Sequence, residues 1–422
     1  MKKDAPIELA ALIGIDWADQ QHDVSLQAAG STAVEHARVR HTAEALTEWL
    51  NELRQRFNGK PVGIAVETSR GPLVHALLDY EFVVLYPVNP RSLQRFRETF
   101  TPSGAKDDLP DADLLRELLV KHRARLRAWE PDDPQTRTLR RLVEDRRKMV
   151  DLGTRLTQQL RAALKEYYPQ ALSWAGDDLT TALACDFLLH WPTLESVQRA
   201  RPKTIRKFYY AHNCRSADRI EERIRSIQNA KPLTRDPAIV QSSTLLVQTL
   251  AGQLKALRPR IARYDEEIKQ RFAAHEDADL FDALPGSGAA LAPRLLAIFG
   301  SNRDRFQNAA ELQKLSGIAP VTQRSGQRSH VHWRWAASTF IRQTFHEFAH
   351  HSIRHSAWAR AYYDLQRQRG KGHHAAVRAL AFKWIRVIWR CWKNRTPYDE
   401  TRYMRTLAQR GSPLVAQLSA AA

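Results

Sequence analysis

The first third of the chain alternates between short apolar runs and stretches of helical period. Leu12–Ala18 reads L-I-G-I-D-W-A, an apolar run that ends on Asp16. His22–Ala28 and residues 32–40 then alternate apolar and polar positions, as half-buried strands do. From His41 to Phe57, Leu46, Leu50 and Leu53 recur at helical spacing, with Thr42 placed to cap the helix. Val62–Val66 is a fully apolar strand pattern that delivers Glu67 at its C-terminal end. A short helix over Pro72–Asp79 and an apolar strand over Phe82–Tyr86 follow. Strands interleaved with helices predict an α/β layered fold, and such folds place their chemistry at strand ends. Beyond Pro90 comes S-G-A-K-D-D-L-P-D-A-D-L-L, where Pro110 suits the first turn of a helix. Asp108 and Asp111 then share one face of its start, although Asp107 or Asp108 also reads as a helix cap and Asp111 and Asp113 as first-turn acids.

The pattern changes after residue 130. Leu139, Leu142, Val150, Leu156, Leu160 and Leu164 run near heptad spacing through a long charged helix. A second such stretch, roughly Asp218–Phe272, carries Ile220, Ile224, Ile227, Leu245, Leu246, Leu250, Leu254 and Leu257. Two long antiparallel helices, or a coiled coil between protomers, account for both. Residues 165–215 between them are helical by pattern and carry no assignable role. From 283 the sequence L-P-G-S-G puts Gly286 and Gly288 in a turn that opens a helix, in the manner of a helix-hairpin-helix; such a turn offers backbone N–H groups to a phosphate or serves as a plain tight turn. A helix ending at Gly317 leads into a polar, basic loop containing Ser325, and residues 336–392 are helical and dense in Arg, His and Trp. Beyond about Ser412 the structural signal fades.

Charge narrows the partners. Among 422 residues, 65 Lys and Arg against 46 Asp and Glu leave a formal charge of +19, the footprint of a protein that meets a polyanion. The Trp and Arg content suits stacking on bases, though most Trp in any protein are core. The three cysteines, Cys185, Cys214 and Cys391, lie far apart with no C-x-x-C, which argues against a disulfide framework or a zinc ribbon and fits a reducing cytosol. The N-terminus lacks a signal-peptide pattern, and no window is apolar enough to span a membrane.

Against this background the acids acquire meaning. Asp16 at the end of the first strand, Glu67 at the end of the fourth, and Asp108 and Asp111 at the head of a following helix form the layout of an RNase H-like nuclease. Clustered carboxylates repel one another unless a hard divalent cation lies between them, and paired Mg2+ ions (with Mn2+ able to substitute) clamp the oxygens of a phosphodiester in transfer. Ser325, next to Gly326 and flanked by Arg324 and Arg328, reads either as a hydroxyl that attacks a phosphate or as a phosphate-contacting loop serine. His346–His350 spells H-E-F-A-H, the zinc-protease pattern, yet it lies in a His-rich helix without a defined third ligand; it reads as coincidence. His330 and His332 read as phosphate-contacting or packing residues.

Taken together, G-I-D-W-A, A-V-E-T-S, S-G-A-K-D-D-L-P-D-A, L-P-G-S-G and G-I-A-P-V-T-Q-R-S-G resemble, in order and over nearly the whole chain, the insertion-sequence transposases that join a RuvC-like DEDD domain to a C-terminal serine domain. The members studied as such are bridge-RNA-guided recombinases. The resemblance implies that Asp16, Glu67, Asp108 and Asp111 are the metal-binding tetrad, and that Ser325 forms a covalent 5′-phosphoserine with DNA. It further implies a composite active site whose tetrad and serine come from different protomers of a dimer or tetramer, and a structured non-coding RNA that selects donor and target DNA. Lys106, Gly286, Gly288, Arg324 and Arg328 become candidate nucleic-acid contacts. The family pattern has Thr or Asn where Asp107 stands, which leaves Asp107 as an alternative to Asp108, and often a second Ser where Arg324 stands. The resulting expectation is a RuvC-like α/β domain over 1–130, a helical coiled-coil region over 131–275, an all-α serine transposase domain over 276–400 and a tail over 401–422, in a prokaryotic cytoplasmic enzyme. The rival expectation is a RuvC-like endonuclease or Holliday-junction resolvase in which water attacks.

Overall fold

The computed structural model describes residues 7–67, 70–99, 111–326, 328–412 and 414, and it divides into two compact units, Met1–Pro131 and Asp132–Ala422. The first unit runs β1 (Ala11–Asp16), β2 (Gln21–Ala28), β3 (Glu35–Arg40), α1 (Ala43–Arg56), β4 (Val62–Val66), α2 (Pro72–Leu77), β5 (Val83–Pro87), α3 (Pro90–Glu98) and α4 (Asp111–His122). The sheet order is β3-β2-β1-β4-β5; β1, β2 and β3 pair antiparallel, whereas β1, β4 and β5 pair parallel.

Alternation along the strands sorts their side chains between two helical layers. Ala11, Ile13 and Ile15 of β1, with Val62, Ile64 and Val66 of β4, pack against Leu46, Leu50 and Leu53 of α1 and Leu73 and Val74 of α2. The opposite face turns Leu12 and Ala65 toward Leu93 of α3 and Leu114, Leu115 and Leu119 of α4. Thr42 caps α1 by accepting a hydrogen bond from the Ala45 N–H at 3.2 Å, so the N-cap expected from sequence is present. Gly14 faces α4, and a Cβ there would lie 2.0 Å from the Ala112 carbonyl oxygen and 2.5 Å from the Arg116 nitrogen. Only glycine lets the helix backbone settle this closely onto the strand.

The second unit is mainly helical: α5 (Pro134–Tyr167), α6 (Ala171–Trp174), α7 (Ala182–His190), α8 (Leu194–Gln198), α9 (Pro202–Ala211), α10 (Ala217–Asn229), α11 (Pro237–Ala273), α12 (Ala278–Asp282), α13 (Gly288–Phe299), α14 (Ala309–Leu315), β6 (Val321–Ser325), β7 (Arg328–His332), α15 (Thr339–Ser352), α16 (Ala357–Gln368), α17 (His373–Lys393) and α18 (Glu400–Gln409). Helices α5 and α11 lie antiparallel within one chain: Arg146 pairs with Asp265, and Gly153 abuts Leu257. The continuous stretch expected over Asp218–Phe272 is two helices. Pro232 and Pro237 interrupt it, and Asp236 caps α11 by accepting from the Ala238 N–H at 2.9 Å. The segment 165–215, without a role from sequence, supplies Trp174, Phe187 and Tyr209 to the core shared by the two long helices.

The expected all-α C-terminal domain also needs correction. Strands β6 and β7 pair antiparallel with Ser325 opposite Arg328, where the sequence pattern predicts a polar loop. Thr322, Gln323 and Arg324 are all exposed, so no alternation of burial marks the strand; main-chain pairing carries it. Much of the Trp content is structural. Trp358, Trp384 and Trp392 are fully buried, and their indole N–H groups donate to Tyr398 Oη, Ser352 Oγ and the Gly300 carbonyl at 2.7, 2.8 and 2.8 Å. Ordered structure continues through α18, which sends Leu407 into the same core.

Candidate active site

Strand register brings the first acids together. Ile15 pairs with Val66 across the parallel β1–β4 ladder, so Asp16 and Glu67 occupy the next step beyond it. Both fall on the Gly14 and Ala65 side of the pleat, the side covered by α4, whose first residue is Asp111. Burial pushes the Asp16 carboxyl from its ordinary 3.8 up to about 6, aided by the negative charges of Asp111, Glu67 and Asp23; Arg97 opposes the shift. Three carboxylates that raise a fourth across a half-buried space are an anionic site in need of a cation. Arg97, from α3, supplies part of that charge through an ion pair with Asp111.

Asp23 is the member missed from sequence. It stands opposite Asp16 in the β1–β2 register and is held by Arg38 Nε at 2.9 Å. It lies within the strand expected over His22–Ala28, but only the antiparallel register with β1 sets it beside Asp16. Asp113 serves the fold instead. It accepts from Ser25 Oγ at 2.5 Å and faces His36 Nε2 at 3.0 Å and Arg116 Nη2 at 3.4 Å. Burial alone would raise its carboxyl, but the Ser25 and His36 hydrogen bonds and the charges of His36 and Arg116 hold it below the ordinary range. Its carboxylate locks α4 to β2. Lys106, Asp107 and Asp108 lie outside the described residues.

Among the described residues, no three His, Cys, Asp or Glu side chains form a ready-made metal cage. The donor set at Asp16, Glu67 and Asp111 nevertheless suits a hard divalent cation, because it is all carboxylate and Arg97 offsets only part of its mutual repulsion. The H-E-F-A-H run does not assemble such a site. His346 and His350 turn toward His374 and His373, with ring centroids 5.6 and 5.4 Å apart, while Glu347 accepts from Arg294 at 2.5 Å and Arg147 at 3.2 Å.

Ser325 ends β6 as an exposed residue, with Gly326 turning the chain at a φ of 56° and Arg324 and Arg328 exposed beside it. The foot of this hairpin is fixed from behind. The Arg378 guanidinium lies 3.6 Å from the Trp333 ring centroid and Arg342 lies 5.2 Å away, and Arg342 also donates to the Arg334 carbonyl at 3.0 Å. Gly286 lies in the turn before α13 and Gly288 is that helix's first residue, with φ of 80° and 53°; Gly286 packs against His351 and His355, whereas the space at Gly288 is open.

Two family profiles match the chain in order: one of the DEDD type, described as a transposase, over residues 13–169, and one described as the transposase IS116/IS110/IS902 family over residues 278–364. The chain belongs to the IS110/IS116 family of transposases. Similarity runs nearly end to end: the "Mini-circle putative transposase for IS117" of Streptomyces coelicolor is 28% identical over 95% of this chain and 98% of its own length. The 44.8 kDa protein of insertion element IS116 from Streptomyces clavuligerus is 27% identical over 89% of this chain and 93% of its own. The 42 kDa protein of IS900 from Mycobacterium paratuberculosis is 26% identical over 86% and 90%. This transposase is therefore an enzyme that cleaves and transfers DNA strands, and its DEDD domain implies use of a divalent metal. No helix among the described residues is long and apolar enough to cross a membrane.

Proposed function

We propose that this transposase breaks and rejoins DNA through a serine nucleophile, Ser325, at a site completed by Mg2+ bound to Asp16, Glu67, Asp111 and Asp108. The observation that carries the metal half is the strand register, which sets Asp16 and Glu67 side by side under the helix that begins at Asp111; the raised Asp16 carboxyl, due first to burial and then to these neighbouring acids, agrees with it. Bound there, Mg2+ would neutralise charge on the phosphodiester and polarise its oxygens. The serine half draws on the exposure of Ser325 between two arginines. Its Oγ attacks phosphorus, an Oγ–P bond forms as the P–O3′ bond breaks, and the hydroxyl proton passes to solvent as the 3′-oxygen leaves. Arg324 and Arg328 offset the charge that accumulates on the phosphoryl oxygens. The resemblance to bridge-RNA-guided recombinases adds a guide RNA, and a dimer or tetramer in which one protomer presents Ser325 to another's carboxylates. The net charge of +19 suits DNA and RNA alike.

The deciding experiment incubates the wild-type protein, co-expressed with its element's RNA, with labelled donor DNA and resolves the products under denaturing conditions. A DNA–protein adduct that disappears in Ser325→Ala supports the serine pathway. Strand transfer at the wild-type rate in Ser325→Ala rejects it in favour of water as the attacking group.

A further inference from the structure

A cleft between α17 and α18 takes no part in the chemistry above. Its volume is about 490 Å³, in the range of sites that enclose a small organic ligand. Lys383, Arg386 and Arg390 line it from α17, spaced three and four residues apart so that they share one helix face. Arg402 of α18 and Arg410 just past its end line it from the other side, about two turns apart. Among the lining residues the one acid is Asp399, whose carboxylate caps α18 by accepting from the Arg402 N–H at 3.0 Å. None of the five cations has a carboxylate partner among the described residues. Lys383 lies over the Tyr362 ring at 4.7 Å, and burial together with Arg386 pushes its ammonium down to about 8. The cleft also has an apolar side, to which Val387 and Tyr403 contribute.

Positive charge crowded into a half-enclosed space without counter-charge favours a multivalent anion, and arginine is the side chain suited to phosphate. An aromatic and aliphatic wall beside it suits the face of a base. We propose that this cleft receives one unpaired nucleotide of a nucleic-acid strand, with phosphates on the arginine rim and the base against Tyr403 and Val387. A base inside a duplex is stacked and paired, and it would have to be flipped out to enter. The site therefore selects single strands, and it stands whether or not Ser325 is the nucleophile.

Fluorescence anisotropy on the full chain tests this, with labelled oligothymidylate, oligouridylate and a DNA duplex of the same length as probes. Two variants are compared: Arg390→Gln with Arg402→Gln, which discharges the rim, and Thr406→Trp, which fills the cleft and keeps every charge. Both should weaken single-strand binding about tenfold and change duplex binding less than about twofold, with the melting temperature of the arginine variant preserved. Loss on both single strands assigns recognition to phosphate and base, and loss on one alone assigns it also to the sugar. Unchanged single-strand affinity in the arginine variant, or equal loss on the duplex, overturns the proposal. So does a folded Thr406→Trp variant that binds like wild type.

Discussion

Arg97 forms an ion pair with Asp111, the carboxylate whose charge helps raise Asp16. A cation entering the site competes with that guanidinium for the same oxygens. Arg97→Ala should therefore tighten Mn2+ binding to the DNA-free protein about fivefold, the equivalent of a partly exposed ion pair of roughly 1 kcal/mol. Titration calorimetry measures it directly; equal affinities would show that Arg97 does not hold a ligand back.

Asp113→Ala should destabilise the protein by about 3 kcal/mol at neutral pH, because His36, Arg116 and Ser25 lose a shared buried acceptor. The sign with pH follows from its lowered carboxyl. The unfolded chain takes up the proton first, near 3.8, so the stabilisation is complete above that value and lost as pH falls through the lower native one. Denaturant melts of wild type and variant should thus converge in acid, and a gap that widened there would contradict this assignment.

Glu347→Gln should cost about 3 kcal/mol, since it leaves Arg294, buried to 6% exposure, without its neutralising partner. The same residue would be the general base of a zinc hydrolase, so metal analysis separates the two roles. We expect less than stoichiometric zinc in the purified protein and no change in His346→Ala.

Trp333→Ala removes the ring on which Arg378 and Arg342 rest. The hairpin should then loosen at its foot, and limited trypsin digestion should cut at Arg324 or Arg328 several times faster while the melting temperature stays nearly constant. Trp333→Phe should restore most of the protection. Identical digestion patterns would mean that main-chain pairing alone holds the hairpin.

The five-stranded sheet is legible in the sequence because β4 is apolar throughout, β1 is apolar up to Asp16, and β2 alternates, so period and length agree with the fold. Asp16 and Glu67 are legible for a related reason: each follows an apolar run directly, and parallel pairing then makes them neighbours. Asp23 and Arg97 are not, since one depends on antiparallel register and the other on how α3 approaches α4. The hairpin escapes because Thr322, Gln323 and Arg324 are all exposed and present no apolar stripe. The break between α10 and α11 is visible in Pro232 and Pro237, yet the regular spacing of isoleucine and leucine on either side masks it.

Gly14 sets the distance between the strand that ends in Asp16 and the helix that begins with Asp111 by contact of main chain on main chain. Rotamer changes can absorb strain where side chains meet, but bare backbone has no such slack. The gap between these two acids is thus a rigid gauge, insensitive to repacking elsewhere in the sheet. Even one added methyl group at residue 14 would reset it.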